Sequence, residues 1–252
     1  MIKLFDFAYD KSTWTWFDIY WPWIGLIASI LIVFLLFTTN VFRHHFQVPR
    51  WKDSFWLSWL AIPIYMLHEF EEYGIDMKGV NHAFPNGLCS NLNLGEYPQC
   101  PIPHEFYLYV NIPLVWVFAV LATTLSAKNA FLGLGLYSVI ISNGVVHIAL
   151  FVIRQSYNPG VFTSLVLFLP SFWWVCRANF GNGGFAEKGI TVIIVTGIIL
   201  HAILISSLLS FVNHKIDSTT LNLIQILNAS VIVIVPWLGD RLLKIRKNNL
   251  LV

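Results

Sequence analysis

In the stretch "YMLHEFEEYGI", residues 65–75, His68, Glu71 and Glu72 stand at i, i+3 and i+4. On a helix that spacing puts an imidazole and two carboxylates on one face, over adjacent turns. Imidazole and carboxylate together form a donor set for zinc or iron. A glutamate beside such an ion can act as a general base. The stretch directly follows the apolar run "FWLSWLAIPI", so its charges come at the end of a greasy segment. A carboxylate at mid-bilayer costs about 2.5–3.5 kcal/mol even on the lenient insertion scale, and two on one face repel each other. With no Arg or Lys inside the neighbouring apolar segments, the compensating charge must be a metal ion, a histidinium or a shared proton.

Other polar residues stand in otherwise apolar surroundings. Asn143 and His147 are i and i+4 in "YSVIISNGVVHIALFVIR", His104 and Asn111 flank "EFYLYV", and His201 interrupts "TGIILHAILIS". Asn222, Gln225 and Asn228 follow one another along a last apolar run. "SYNPG", residues 156–160, is a turn in which Pro fixes one dihedral and Gly permits positive φ. As a lid over the polar cluster it would bring Tyr157 in. His44, His45, His82 and His214 read as interfacial or loop residues.

The elements that position these groups follow from composition. The chain has 252 residues, 57% hydrophobic and only 11% charged, with mean hydropathy +0.68. Soluble domains carry about a quarter charged residues, so the reading is all-α: a polytopic transmembrane bundle forming one integral membrane domain over 1–252. Seven spans are expected at about 20–40, 54–73, 104–126, 130–153, 161–178, 189–212 and 220–239. The fifth is short and carries Pro170, which leaves six spans plus a re-entrant segment as the alternative. The polar segment at about 74–103 is too rich in Gly, Pro and Asn for a continuous helix. No removable leader is expected at the N-terminus. Net charge of +2 points to no nucleic acid and no polybasic lipid arm.

Orientation is read from Lys and Arg. With the N-terminus out and the C-terminus in, ten of the fifteen fall inside: Arg43, Arg50, Lys52, Lys128, Arg177, Lys188, Arg241, Lys244, Arg246 and Lys247. Lys3, Lys11, Lys78, Arg154 and Lys215 fall outside. A bacterial cytoplasmic membrane is the expected setting. The 74–103 loop is then extracytoplasmic, where a Cys89–Cys100 disulfide could persist, and the polar groups of five spans collect in the outer half of the bundle.

"HEFEE", the later "FPNG", the Asn143/His147 pair and "YNPG" together resemble a family of uncharacterised integral membrane proteins named for its HXXEE motif. The resemblance covers roughly residues 55–180 and implies a site without a reaction. "FPNG" departs from that family's pattern, with a long Cys-containing insertion after it. The adjacent glutamates and the downstream Asn/His pair are also similar to the motifs of the CAAX-protease and bacteriocin-processing family. The order of the His and the absence of the following arginine depart from that pattern too.

The leading expectation is therefore a metal-dependent hydrolase. His68, Glu72 and His147 bind a divalent zinc or iron ion, and Glu71 serves as base or further ligand. Asn143 and His104 act as catalytic partners, with Tyr157 as lid and His201 as an additional residue. The expected partners are membrane lipids, with a lipid or a membrane-embedded peptide as substrate. A metal-free glutamate-type intramembrane protease is the alternative, and a cation- or proton-coupled transporter or binding protein is another.

Overall fold

The computed structural model describes residues 14–181 and 184–246; Lys3, Lys11 and Lys247 lie outside the described residues. Among the described residues, six helices are long and apolar enough to cross a membrane. They are α1 (Trp16–Thr38), α4 (Glu105–Leu125), α5 (Leu132–Arg154), α6 (Val161–Asn179), α7 (Lys188–Val212) and α8 (Ser218–Leu243). Between α1 and α4 come α2 (Ser54–Glu69), which runs on into a π turn at Phe70–Gly74, and the short α3 (Ala83–Asn91).

The segment set apart from the six apolar spans is the second, and not the fifth. The run 161–178 is a continuous helix. A π turn at Ser164–Phe168 widens the backbone just ahead of Pro170 and so absorbs the clash that proline makes with the preceding turn. α2 is different because twelve of its sixteen residues are buried, against six of twenty-three in α1. It is the axis of the bundle, touching α1, α4, α5 and α6.

Lipid is as apolar as leucine, so helices in a membrane are joined by close packing and hydrogen bonds rather than by hydrophobic exclusion. Those bonds converge on α2. Ser29 donates to the Pro63 carbonyl at 3.0 Å, Trp56 Nε1 to the Leu36 carbonyl at 2.9 Å, and the Tyr137 hydroxyl to the Leu57 carbonyl at 2.9 Å. α5 and α7 meet more closely still. A Cβ on Gly197 would stand 2.3 Å from the Ser138 carbonyl oxygen. Only a residue without a side chain lets the two backbones cross there.

α3 lies at the end of the bundle that carries the motif. Cys89 on it is bonded to Cys100 in the following loop. The loops around Lys52, Lys128 and Arg246 share the opposite end, where they line one cleft.

Gly197→Val should force α5 and α7 apart. The expected cost is about 1–3 kcal/mol, the range for overpacking a closed interface, read as a lower thermal midpoint of the detergent-purified protein.

Candidate metal centre

Glu71 and Glu72 are neighbours in sequence and point to different places. They sit in the π turn, where consecutive side chains point in different directions, so that one can face α6 while the other faces the imidazoles. Glu71 reaches the start of α6. Its Oε1 accepts from the Tyr157 hydroxyl at 3.0 Å and the Phe162 amide at 3.1 Å. Its Oε2 accepts from the Thr163 amide at 2.8 Å and the Thr163 hydroxyl at 2.6 Å. Four donors fill the acceptor sites of a carboxylate. The positive end of the α6 dipole and its unpaired first amides offset its charge. Glu71 is thus neither in the ligand group nor free to act as a base, contrary to the roles its spacing suggests.

This anchoring fixes His68. The Thr163 hydroxyl is surrounded by two acceptors, Glu71 Oε2 and, at 3.2 Å, the Gly160 carbonyl. Its proton therefore points to one of them, and Thr163 Oγ1 accepts the Nδ1–H of His68 at 2.7 Å. The lone pair of His68 is left on Nε2. His147 is set the same way. Asn158 Nδ2 donates to the His147 carbonyl at 3.0 Å, which turns Asn158 Oδ1 toward His147 Nδ1 at 2.8 Å. That ring too carries its hydrogen on Nδ1 and its lone pair on Nε2.

The Nε2 atoms of both rings lie near Glu72, that of His68 also 3.0 Å from Asn143 Nδ2. Glu72 Oε1 lies 3.1 Å from His147 Nε2 and 3.6 Å from His68 Nε2. One ligand atom from each of the three residues falls within 4.8 Å of the others, and all three are buried, at 0%, 3% and 2% exposure for His68, Glu72 and His147. Ligand atoms about 2.0–2.1 Å from a tetrahedral zinc ion are about 3.3 Å apart, and the two measured separations bracket that value. Three acceptors facing one point, each ring oriented from behind by an oxygen, is the second-shell pattern of metal-bound histidine.

The YNPG turn is built around this group. Tyr157 holds Glu71 and also accepts from the Met77 amide at 3.1 Å. Burial pushes its hydroxyl well above the ordinary phenol range, so it stays a donor. Asn158 orients His147. Gly160 has φ +94°, and a Cβ there would stand 2.7 Å from Cε1 of both His68 and His147. The turn closes against the two imidazoles through glycine, while Tyr157 reaches Glu71 and not the group itself.

The other candidates separate. Asn143 Nδ2 donates to His68 Nε2 at 3.0 Å and lies 3.5 Å from the Tyr65 hydroxyl, so it borders the group. His201 Nδ1 contacts the Gly197 carbonyl at 3.0 Å and Ser142 Oγ at 3.1 Å. It lines the same cavity as Glu72, Asn143 and His147. His104 lies elsewhere. It stacks on Trp14, and its Nε2 is 3.8 Å from Asp18. Tyr73 and Tyr107 line both its cleft and the cavity, and so stand between them. Gln225 and Asn228 bond to α7, at Ser207 Oγ (2.8 Å) and the Leu200 carbonyl (3.0 Å). Gln225 and Asn228 of α8 therefore join helices, and with Asn222 they lie outside the lining of the cavity beside Glu72.

Sequence reasoning gave no role to Thr163, Asn158 or Glu69. The first two lie in and just after "YNPGVFT", so the turn signal was there without their partners. Glu69 is buried on α2, with Trp116 Nε1 3.5 Å from Oε2 and no hydrogen-bond partner for Oε1 among the described residues.

Two substitutions test this construction. Gly160→Ala should displace both imidazoles, because the added methyl has no room and the backbone conformation disfavours it. Glu71→Ala removes no group atom but leaves two α6 amides unpaired and frees the Thr163 hydroxyl to donate to His68. The expected result is a change in the His68 ring-nitrogen NMR signals from the Nδ1–H to the Nε2–H tautomer, with those of His147 unchanged.

No curated protein and no solved structure matches the chain. Residues 59–175, which hold His68, Glu71, Glu72, Asn143, His147 and the YNPG turn, match the profile of one family, described as a protein of unknown function with HXXEE motif.

Proposed function

We propose that the protein is a divalent-metal-dependent membrane hydrolase, with His68 Nε2, His147 Nε2 and a Glu72 oxygen as ligands to one zinc or iron ion. The observation that carries this reading is the convergence of three buried acceptors, both imidazoles having their hydrogen held on the far side. Three protein ligands with a further position open is the arrangement of catalytic rather than structural zinc. An ion held there supplies Lewis-acid activation of water and of the bond to be cleaved. An ion on His68 Nε2 would take the lone pair that Asn143 Nδ2 now faces; the N–H so released, with the Tyr65 hydroxyl beside it, would be a donor for charge developing on a substrate oxygen. With Glu71 committed to α6, the base role falls to His201. Its Nδ1–H goes to a carbonyl, and its Nε2 lone pair remains available at the cavity wall. In the orientation that the Lys and Arg bias favours, the substrate is reached from the outer leaflet of a bacterial cytoplasmic membrane.

One observation favours a second reading. The 3.1 Å separation of His147 Nε2 and Glu72 Oε1 is also that of a direct hydrogen bond, which a single shared proton would satisfy. The site would then be a metal-free glutamate protease or a proton-coupled carrier.

Elemental analysis of the detergent-purified protein separates the two. About one zinc or iron per chain is expected in the wild type, with loss in Glu72→Gln and in His147→Ala. Glu71→Ala should retain the metal with affinity weakened about 10–100-fold, the usual effect of losing an outer-shell partner. Metal at 100 times Kd should stabilise the wild type by about 2.7 kcal/mol and leave Glu72→Gln unmoved. No metal in the wild type, even after reconstitution, would overturn the proposal in favour of the shared proton.

A further inference from the structure

The cavity beside the candidate centre is narrow, about 140 Å³, close to the size that takes up one benzene-sized group in an engineered apolar core. Its polar end is Glu72, Asn143 and His147. The end of the bundle above it is covered, because Phe84 and Leu88 of α3 line the cavity there, with α3 tied down through Cys89. Two walls of the cavity are α5 and α7. Those helices touch backbone to backbone at Ser138 and Gly197. One turn further along, Ser142 and His201 meet through side chains at 3.1 Å. One more turn along, Val146 and Ile205 line the cavity and are 43% and 40% exposed. With Leu150 and Leu204 they form a rim made only of aliphatic side chains.

We infer that this gap is a lateral mouth through which a hydrocarbon chain enters from the bilayer, so that the substrate of the site is a lipid-like amphiphile and not a peptide. The inference rests on the reading of the neighbouring group as a reaction centre. The size of the cavity sets the geometry. It admits a short length of chain next to the cleavable polar group, and the remainder stays between α5 and α7 in the lipid. The chemistry of the rim sets the class. A peptide crossing it would carry amide and carbonyl groups past Val146, Leu150, Leu204 and Ile205, none of which can pair with them, and each unpaired group costs several kcal/mol in hydrocarbon. A methylene chain has nothing to leave unpaired. Gly197 is the hinge point of this design, because it brings the helices together on one side of His201 and lets them part on the other.

The experiment is photolabelling in detergent with a diazirine-bearing palmitate analogue, followed by peptide mapping, with a diazirine-bearing hydrophobic peptide run in parallel. In the wild type the palmitate probe should label peptides of α5 and α7 that contain the rim, and an excess of unlabelled long-chain lipid should compete. Val146→Trp with Ile205→Trp fills the mouth from positions already exposed, so the thermal midpoint should hold while labelling falls at least tenfold. Labelling unchanged in this variant, spread evenly over the lipid-facing helices, or stronger with the peptide probe would overturn the inference. Metal content measured on the same preparations keeps the two readings apart. Metal present without rim labelling sinks the mouth alone, and rim labelling without metal sinks the metal centre alone. His147→Ala should lose its metal and keep its rim labelling.

Discussion

The carboxylate of Glu71 on the first turn of α6 is the contact from which the rest of the site follows. A charged group buried in a membrane protein needs a partner, and here the partner is a helix end whose amides would otherwise be unpaired. The bond set does more than satisfy two deficits. By taking the Thr163 hydroxyl proton it obliges Thr163 to accept from His68, which places the His68 lone pair on Nε2. By holding Tyr157 it fixes the start of the turn whose next residue, Asn158, performs the same service for His147. One ion-to-helix contact therefore sets the tautomer of His68 without touching it, while that of His147 is set by Asn158.

That contact needs a rigid axis, and α2 supplies it. Its apolar body is enclosed by other helices, so its final turn can carry glutamates without exposing them to lipid. The two glutamates of the π turn at Phe70–Gly74 then divide between two partners. Two adjacent carboxylates on one helical face would compete for one compensating charge. Separated, one meets a helix terminus and the other meets two imidazoles. Single π turns of this kind recur at functional sites.

The fold divides its polar groups by task. Gln225 and Asn228 on α8 tie that helix to α7, and Ser29 and Tyr137 tie α1 and α5 to α2. These are interhelical bonds of the kind that replaces hydrophobic exclusion inside a membrane.

The class of the molecule was legible in the chain itself, because the cost of leaving a backbone unpaired in lipid turns long apolar runs into helices whatever surrounds them. The three residues of the group were legible too. His68 and Glu72 share a helical repeat, and a histidine within an apolar helix, as at position 147, needs a polar partner. What lay beyond the sequence was partner choice between segments distant along the chain. The spacing grouped Glu71 and Glu72 with His68, and only the approach of α6 gave the two carboxylates different partners. His104 and the amides of α8 have the same residue types as the true neighbours of the group. Their assignment to Asp18 and to α7 depended on which helices touch. YNPG announced a turn, yet its purpose came from the imidazoles that Gly160 packs against, ninety-two residues after His68 in one case and thirteen after His147 in the other. Local periodicity is a property of the chain, whereas the direction of a buried side chain is set by whichever neighbour can complete its hydrogen bonds, and that neighbour exists only once the helices have packed.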